Sequence, residues 1–232
     1  MTGPGSVLIT GGTGGLGSAV TAAFLADGWR VVVPWIAEAE LSRLDDHPMI
    51  HPIQADLFDA GSATEVATFA AGEPDAPLRA VVNLVGGFGM GGRVHETPVE
   101  DFEQQLRLNL RPTYLTCHAT LPHLIAGGGG AIVCVSSRAA LVPFPGAAGY
   151  ITAKAAVLAL VYALAAEYKP DRIRVNAVLP SVIDTPANRE SMPDADHDSW
   201  VKPVEIANVI RFLCGTESTI ISGGHIPVYG SA

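Results

Sequence analysis

The chain has 232 residues, of which 48% are apolar, and its formal net charge is -9. This length and apolar content are sufficient for one large domain with helices on both faces of a sheet. The acidic balance argues against nucleic acid and anionic membranes as partners, because both attract basic proteins.

Two further features predict a cytoplasmic protein. The N-terminus has no basic segment followed by an unbroken apolar run, which argues against a secretory signal. Cys117, Cys134 and Cys214 are widely spaced among apolar neighbours. This pattern predicts buried thiols rather than a disulfide or a zinc site, so we expect no metal.

Short β-branched runs alternate with longer helical stretches along the chain, which is typical of a parallel α/β sheet. The predicted strands are residues 7–10, 31–33, 80–83, 131–135 and 173–178. The predicted helices are residues 15–27, 62–71, 99–125, 147–168 and 203–214. The strands lack polar alternation, as expected when helices cover both faces of the sheet. We therefore predict one domain over residues 1–232, a Rossmann-type doubly wound parallel sheet.

The first predicted strand leads into a glycine-rich turn, Thr10 to Gly17, and then into a helix. Glycines at 11, 15 and 17 let the backbone turn sharply and approach a pyrophosphate, and the helix N-terminus favours an anion. Taken alone, such a loop is also consistent with an ordinary tight turn. The strand, turn and helix context favours a dinucleotide site.

Trp35 occupies the position where a dinucleotide site usually has an acid, about 20 residues beyond the glycine loop. No arginine or lysine replaces that acid, so the sequence leaves the choice between NAD and NADP open. Trp35 either packs beside the adenine or caps the end of its strand, and the sequence does not distinguish these.

Tyr150 and Lys154 are four residues apart on a predicted helix, so both side chains project from one face. A free phenol has a pKa of about 10, and a neighbouring ammonium lowers it by favouring the phenolate. Tyr150 then becomes a usable general acid or base. Lys154 is the only charged residue between Ala147 and Ala166, and such an isolated charge is costly without a purpose.

Ser136 and Ser137 end an apolar predicted strand, at the carboxyl edge where open α/β sheets carry their ligands. A hydroxyl at Ser137 could donate to a substrate oxygen as negative charge develops on it. Without Tyr150, a serine that ends a strand and starts a turn would be the better interpretation.

This ordered set of motifs resembles the short-chain dehydrogenase/reductase family over essentially the whole chain. The motifs are the glycine loop, Asp56 after the third strand, Asn83 and Gly86 after the fourth, Asn109 in a long helix, Ser137, and Tyr150 with Lys154. The resemblance implies a sheet of about seven strands. It also implies hydride transfer between NAD or NADP and a small carbonyl or alcohol substrate.

The resemblance further implies individual roles. Asp56 would contact the adenine amino group, and Asn83 and Gly86 would flank the adenosine. The implied catalytic set is Asn109, which holds a water next to Lys154; Ser137, which orients the carbonyl; Tyr150, which passes the proton; and Lys154, which binds the nicotinamide ribose. The implied cofactor-binding set is Gly11, Thr13, Gly15, Leu16, Trp35, Asp56, Leu57, Asn83, Gly86, Tyr150, Lys154, Pro180, Ile183 and Thr185.

Residues 180–185 are similar to the family's segment over the nicotinamide, with Ser181 in place of a glycine. Residues 179–200 and 85–92 also resemble dihydropteridine reductase locally, which makes reduction of a quinonoid heterocycle an alternative. Residues 185–203 lack clear periodicity, so they form either a substrate lid or a surface loop. Their position after the nicotinamide segment favours a lid, in which Met192, His197 and Trp200 are candidates for substrate contact.

The predicted helix 147–168 has apolar surface on all sides, more than one sheet face covers. We therefore predict a homodimer or homotetramer built on this helix. The rival to an enzyme is a non-catalytic NAD(P)-binding redox sensor. Such a protein needs no proton-transfer set, and because all four positions of that set are filled, we favour the enzyme.

Overall fold

The structure is a computed structural model that describes residues 4–231, and these contain one seven-stranded sheet. The strands are β1 (Ser6–Thr10), β2 (Arg30–Trp35), β3 (Ile50–Gln54), β4 (Leu78–Asn83), β5 (Gly130–Val135), β6 (Ile173–Pro180) and β7 (His225–Val228). All neighbours are parallel, in the order β3, β2, β1, β4, β5, β6, β7. The chain reverses its direction across the sheet between β1 and β4, where such sheets bind ligands. The predicted Rossmann-type fold is confirmed.

Helices cover both faces of the sheet. Successive strand residues point to opposite sides, so apolar strands expose apolar side chains on both faces. The helices are α1 (Gly17–Ala26), α2 (Ala60–Ala71), α3 (Val99–Asn109), α4 (Arg111–Ala126), α5 (Ala148–Glu167), α6 (Pro186–Ser191) and α7 (Pro203–Cys214). Leu8 of β1 packs in the core under α2, α4 and α5, whereas Val7 and Ile9 pack in the core under α1 and α7. The three cysteines are buried, as predicted.

The predicted helix 99–125 is two helices, α3 and α4, that meet at Leu110. At the end of α3, the Asn109 side chain pairs with the backbone of Gly87 instead of facing solvent. Pro112 follows in the first turn of α4, where a missing backbone N–H costs nothing. The helix is therefore broken beside a residue of the predicted catalytic set.

Helix α5 is long and apolar enough to cross a membrane by length and composition alone, a test that core helices of α/β proteins also pass. Here it packs against the sheet and buries seven residues, among them Lys154. Its opposite side remains uncovered and carries small apolar residues and one tyrosine. The exposed positions along its middle are Ala155, Ala159, Tyr162, Ala163 and Ala166, and Ala148, Thr152 and Glu167 are exposed towards its two ends.

Candidate active site

Two hydrogen bonds join α5 to the carboxyl end of β5. The Ser136 hydroxyl donates to the backbone oxygen of Lys154 at 2.8 Å, and the Lys154 amine donates to the backbone oxygen of Val135 at 3.2 Å. These bonds hold the first turns of α5 at the edge of the sheet. Ser137, Tyr150 and Lys154 consequently lie together, as the sequence predicts.

The proton affinities of Tyr150 and Lys154 are set mainly by burial. Burial raises the pKa of Tyr150, and the neighbouring Ser137 hydroxyl acts in the opposite direction. Burial lowers the pKa of Lys154 to about 8, with Cys134 opposing the shift. This corrects the expectation that Lys154 lowers the pKa of Tyr150. The Lys154 amine lies 5.9 Å from the centre of the Tyr150 ring and donates to Val135. Desolvation of the phenol therefore has a larger effect on the pKa of Tyr150 than the charge of the Lys154 amine.

Ser137 follows the carboxyl end of β5 and lies beside Tyr150. Its backbone is extended, and its side chain is 9% exposed at the mouth of the sheet. The hydroxyl oxygen accepts from the Ala139 backbone N–H at 3.2 Å. The same hydroxyl is hydrogen-bonded to Tyr150, which is the interaction that opposes the rise in the Tyr150 pKa.

Asn109 is fully buried and holds the segment that follows β4. Its side-chain oxygen accepts from the Gly87 N–H at 3.1 Å, and its amide donates to the Gly87 carbonyl at 3.0 Å. A Cβ at Gly86 would lie 2.6 Å from the Asn109 oxygen and 3.1 Å from the Lys154 amine. A residue without a side chain at 86 therefore lets Asn109 and Lys154 approach the same point.

The glycine loop between β1 and α1 is compact because its glycines carry no side chains. Gly11 has a φ of +66° and accepts from the Gly14 N–H at 3.0 Å. A Cβ at Gly17 would lie 2.0 Å from the Gly11 oxygen, so only glycine fits at the start of α1. The loop thus brings bare backbone to the switch point of the sheet.

The residues of this loop fit a dinucleotide. The first turn of α1 carries no acidic residue that would oppose a pyrophosphate at the helix N-terminus. Across the groove, a Cβ at Gly15 would lie 2.9 Å from the Thr185 methyl carbon, so glycine keeps this passage open. Thr13 and Thr185 both belong to the predicted cofactor-binding set.

The end of β2 shows two residues that the sequence reasoning missed, Glu40 and Arg43. The Thr13 hydroxyl donates to the Glu40 carboxylate at 2.8 Å, and the Arg43 guanidinium donates to the Thr13 carbonyl at 3.4 Å. Both belong to a 3₁₀ turn, Glu38–Arg43, that begins beyond Trp35. Spacing alone directs attention to Trp35, which is half-buried at the strand end, and gives no signal for this turn.

Other residues of the predicted cofactor set differ in how much side chain they present. Asp56 is exposed and accepts from the Phe58 N–H at 2.9 Å, whereas Leu57 and Pro180 are buried. The Asn83 amide points into the core, where its nitrogen lies 3.5 Å from the Cys117 sulfur and 3.6 Å from the Cys134 sulfur. The remaining members, Leu16 and Ile183, are half-buried beside the groove.

Residues 185–203 are ordered around α6 and a short 3₁₀ turn. Thr185 caps α6, and the Asp184 carboxylate pairs with the Arg189 guanidinium at 2.9 Å. Trp200 is 7% exposed and packs against His197 with ring centres 4.4 Å apart. Trp200 therefore has little surface for a substrate, in contrast to the sequence-based expectation, whereas Met192 is exposed.

Two aromatic residues near Tyr150 were not identified from the sequence. The ring of Phe88 lies edge-on to Tyr150 with centres 5.1 Å apart, and Phe144 lies 6.4 Å from Phe88. Phe88 stands alone in the glycine-rich segment 85–92, and this lone aromatic is the signal that could have identified it.

A family model described as short chain dehydrogenase matches residues 6–196. The chain belongs to the short-chain dehydrogenase/reductase family. It is an NAD(P)-dependent oxidoreductase, which confirms the predicted class of enzyme.

Relatives of this short-chain dehydrogenase include proteins that are themselves named as dehydrogenases. It is 33% identical to 2-(R)-hydroxypropyl-CoM dehydrogenase of Xanthobacter autotrophicus, over 97% of this chain and 96% of the relative. It is 31% identical to 2,5-dichloro-2,5-cyclohexadiene-1,4-diol dehydrogenase LinX of Sphingobium indicum, over 96% and 94% respectively. The comparisons do not favour either alternative function considered from the sequence.

Solved structures of the family superpose over the whole chain. ElxO with NADP bound matches with a TM-score of 0.91 and 26% identity, covering 99% of this chain and 98% of ElxO. A 3-ketoacyl-(acyl-carrier-protein) reductase from Brucella melitensis, complexed with NADH, matches with a TM-score of 0.86 and 25% identity over 100% of both chains. NAD or NADP as cofactor is thereby supported.

Proposed function

We propose that this dehydrogenase interconverts a small secondary alcohol and its ketone, with Tyr150 as general acid or base. The observation that carries the proposal is the meeting of Ser137, Tyr150 and Lys154 at the carboxyl edge of β5, beside the glycine loop. Two relatives, named as a hydroxypropyl-CoM dehydrogenase and a cyclohexadienediol dehydrogenase, support an alcohol substrate.

In the oxidation direction the alcohol loses a proton from its hydroxyl group and a hydride from its carbinol carbon. The Tyr150 oxygen takes the proton, while the Ser137 hydroxyl donates to the substrate oxygen and holds it near the phenol. When bound, the oxidised nicotinamide dinucleotide supplies the acceptor for the hydride. In the reduction direction, Tyr150 returns the proton to the carbonyl oxygen.

The raised pKa of Tyr150 keeps the phenol protonated at neutral pH. Because burial favours the neutral phenol, Tyr150 is ready to donate a proton to a ketone. The Lys154 amine has a pKa of about 8, so it exchanges protons near neutral pH. We propose that it also binds the nicotinamide ribose. Asn109 orders the segment after β4, and we propose that it also holds a water that links Lys154 to solvent.

The proposed cofactor site runs from the glycine loop to the segment after β6. The Gly11, Gly15 and α1 backbone would hold the pyrophosphate, and Thr13 and Trp35 would border the adenosine. The other proposed contacts are Leu16, Asp56, Leu57, Asn83 through its backbone, Gly86, Tyr150, Lys154, Pro180, Ile183 and Thr185.

We also propose that residues 185–203 act as a lid and that the protein works as a cytoplasmic homodimer or homotetramer. The uncovered apolar stripe of α5 supports the assembly, and the buried thiols support the location. Light scattering at micromolar concentration tests the assembly. Ala159→Glu places a charge in the exposed apolar stripe of α5 and should yield monomers. A wild-type protein that is a monomer would refute the proposed assembly.

Steady-state assays of secondary alcohols and ketones with NAD(H) and NADP(H) test the proposed function. We expect turnover with at least one of the two cofactors. Binding of NADH or NADPH without turnover of any alcohol or ketone would refute the proposal and favour the redox sensor.

A further inference from the structure

Large apolar side chains lie exposed on the surface beside Tyr150. Phe88 is 61% exposed, Met90 63% and Phe144 41%, although each could pack inside a core. Isolated exposed apolar residues are ordinary, but a contiguous group around a concave site indicates a ligand surface. These three residues come from two loops that converge next to Tyr150.

The contact with Tyr150 places this surface at the reacting atoms. Phe88 lies edge-on to the Tyr150 ring at 5.1 Å and an angle of 81°, and Phe144 lies 6.4 Å from Phe88. A substrate whose oxygen reaches the Tyr150 and Ser137 hydroxyls therefore has its carbon skeleton beside these two rings. Aromatic rings favour offset or edge contacts with other rings.

A cavity of about 410 Å³ is lined by residues of the same two loops, among them Met90 and Gly146, and by residues of α3. Gly89 and Gly149 line it, and these residues are bonded to Phe88 and Tyr150. Its walls include Val94 and Phe102, and its ionisable lining residue is a carboxylate, Asp101. This volume suits a small organic molecule, and Asp101 disfavours an anion.

Two guanidinium groups, one next to Ser137 in the chain and one in the proposed lid, are engaged by the protein itself. Arg138, which follows Ser137, lies over the Tyr229 ring at 5.1 Å. Arg189 of the proposed lid pairs with Asp184 at 2.9 Å. Neither is presented for an anionic substrate group.

We infer that Phe88 and Phe144 form an aromatic platform that selects a neutral, ring-bearing alcohol or ketone. The inference rests on the proposed function and adds the substrate class to it. Phe88 is the specificity-determining residue, because it contacts both the catalytic phenol and the second ring.

Three ketones test the platform: acetophenone, butan-2-one, which lacks the ring, and 4-acetylbenzoate, which adds a carboxylate to the ring. We expect kcat/KM for acetophenone to exceed both of the others about tenfold. Phe88→Leu should lower the ratio of acetophenone to butan-2-one at least fivefold, chiefly through KM. Phe69→Leu, a comparably exposed phenylalanine on α2, should leave the ratio unchanged.

A binding measurement separates the platform from catalysis. In the Tyr150→Phe background, which keeps the ring that Phe88 contacts, saturation-transfer NMR should show acetophenone bound to the NADH- or NADPH-loaded protein. Adding Phe88→Leu should abolish that signal, with the melting temperature confirming that the variant is folded.

Four results would overturn the inference in distinguishable ways. An unchanged ketone ratio in Phe88→Leu would remove Phe88 from substrate selection. An equal fall in kcat for both neutral ketones, with a shifted pH profile, would make Phe88 a positioning residue for Tyr150. Turnover of butan-2-one without preference for the ring would overturn the platform and leave the proposed function standing, whereas no turnover of any ketone would overturn both.

Discussion

Replacing Tyr150 with phenylalanine removes one oxygen from the proposed proton path and leaves the ring and its contact with Phe88 in place. A positioned general acid or base accelerates a reaction about 10²–10⁴-fold. That corresponds to about 3–5 kcal/mol of transition-state stabilisation. We expect kcat of Tyr150→Phe to fall by this factor, while NADH or NADPH affinity changes less than about threefold, because the glycine loop is untouched.

Tyr162→Phe is a matched control for this experiment. Tyr162 lies on the same helix, but its hydroxyl bonds His225 at 2.7 Å on the outer side of α5. Its loss should leave kcat unchanged and cost about 1 kcal/mol of stability at most. Nicotinamide absorbance at 340 nm gives turnover, and fluorescence titration gives cofactor affinity. A Tyr150→Phe enzyme within a few-fold of wild type would refute the assignment of the proton to this phenol.

Two further substitutions probe the site. The folded protein holds the Lys154 proton only below about pH 8, against 10.5 for a free lysine, so the buried ammonium lowers stability below pH 8 and this penalty disappears between pH 8 and 10.5. Lys154→Met should therefore raise the free energy of unfolding at pH 7 by about 2 kcal/mol, after subtraction of the lost bond to Val135. The increase in the free energy of unfolding should be smaller at pH 10, and the variant should lose turnover. Urea unfolding at both pH values measures the increase, and an increase that does not depend on pH would contradict the prediction. Trp35→Asp should raise the ratio of NADH to NADPH efficiency about tenfold by placing a carboxylate where a ribose 2′-phosphate would lie. An unchanged ratio would remove Trp35 from the cofactor site.

Much of the fold and the catalytic set follows from local sequence patterns. Buried parallel strands are β-branched runs, and a glycine loop between a strand and a helix is a local feature. Tyr150 and Lys154 share a helix face because of their spacing, and Ser137 ends a strand beside them. These features need no knowledge of tertiary contacts.

Features that depend on distant contacts could not be predicted. The helix break after Asn109 coincides with bonds from its side chain to Gly87, 22 residues earlier, and Thr13 contacts Glu40 across 27 residues. The pKa of Tyr150 is raised, whereas the sequence predicts that it is lowered. Burial has the larger effect on this pKa, and the spacing of Tyr150 and Lys154 carries no information on burial.

Transfer of deuterium from cofactor to product tests the central claim most directly. The enzyme would reduce a ketone with NADH or NADPH carrying deuterium on one face of C4, and NMR would locate the label. We expect the full label at the carbinol carbon from one of the two C4 faces, with the hydroxyl proton drawn from solvent through Tyr150. Product without the label, or label equally from both faces, would contradict direct hydride transfer at this site.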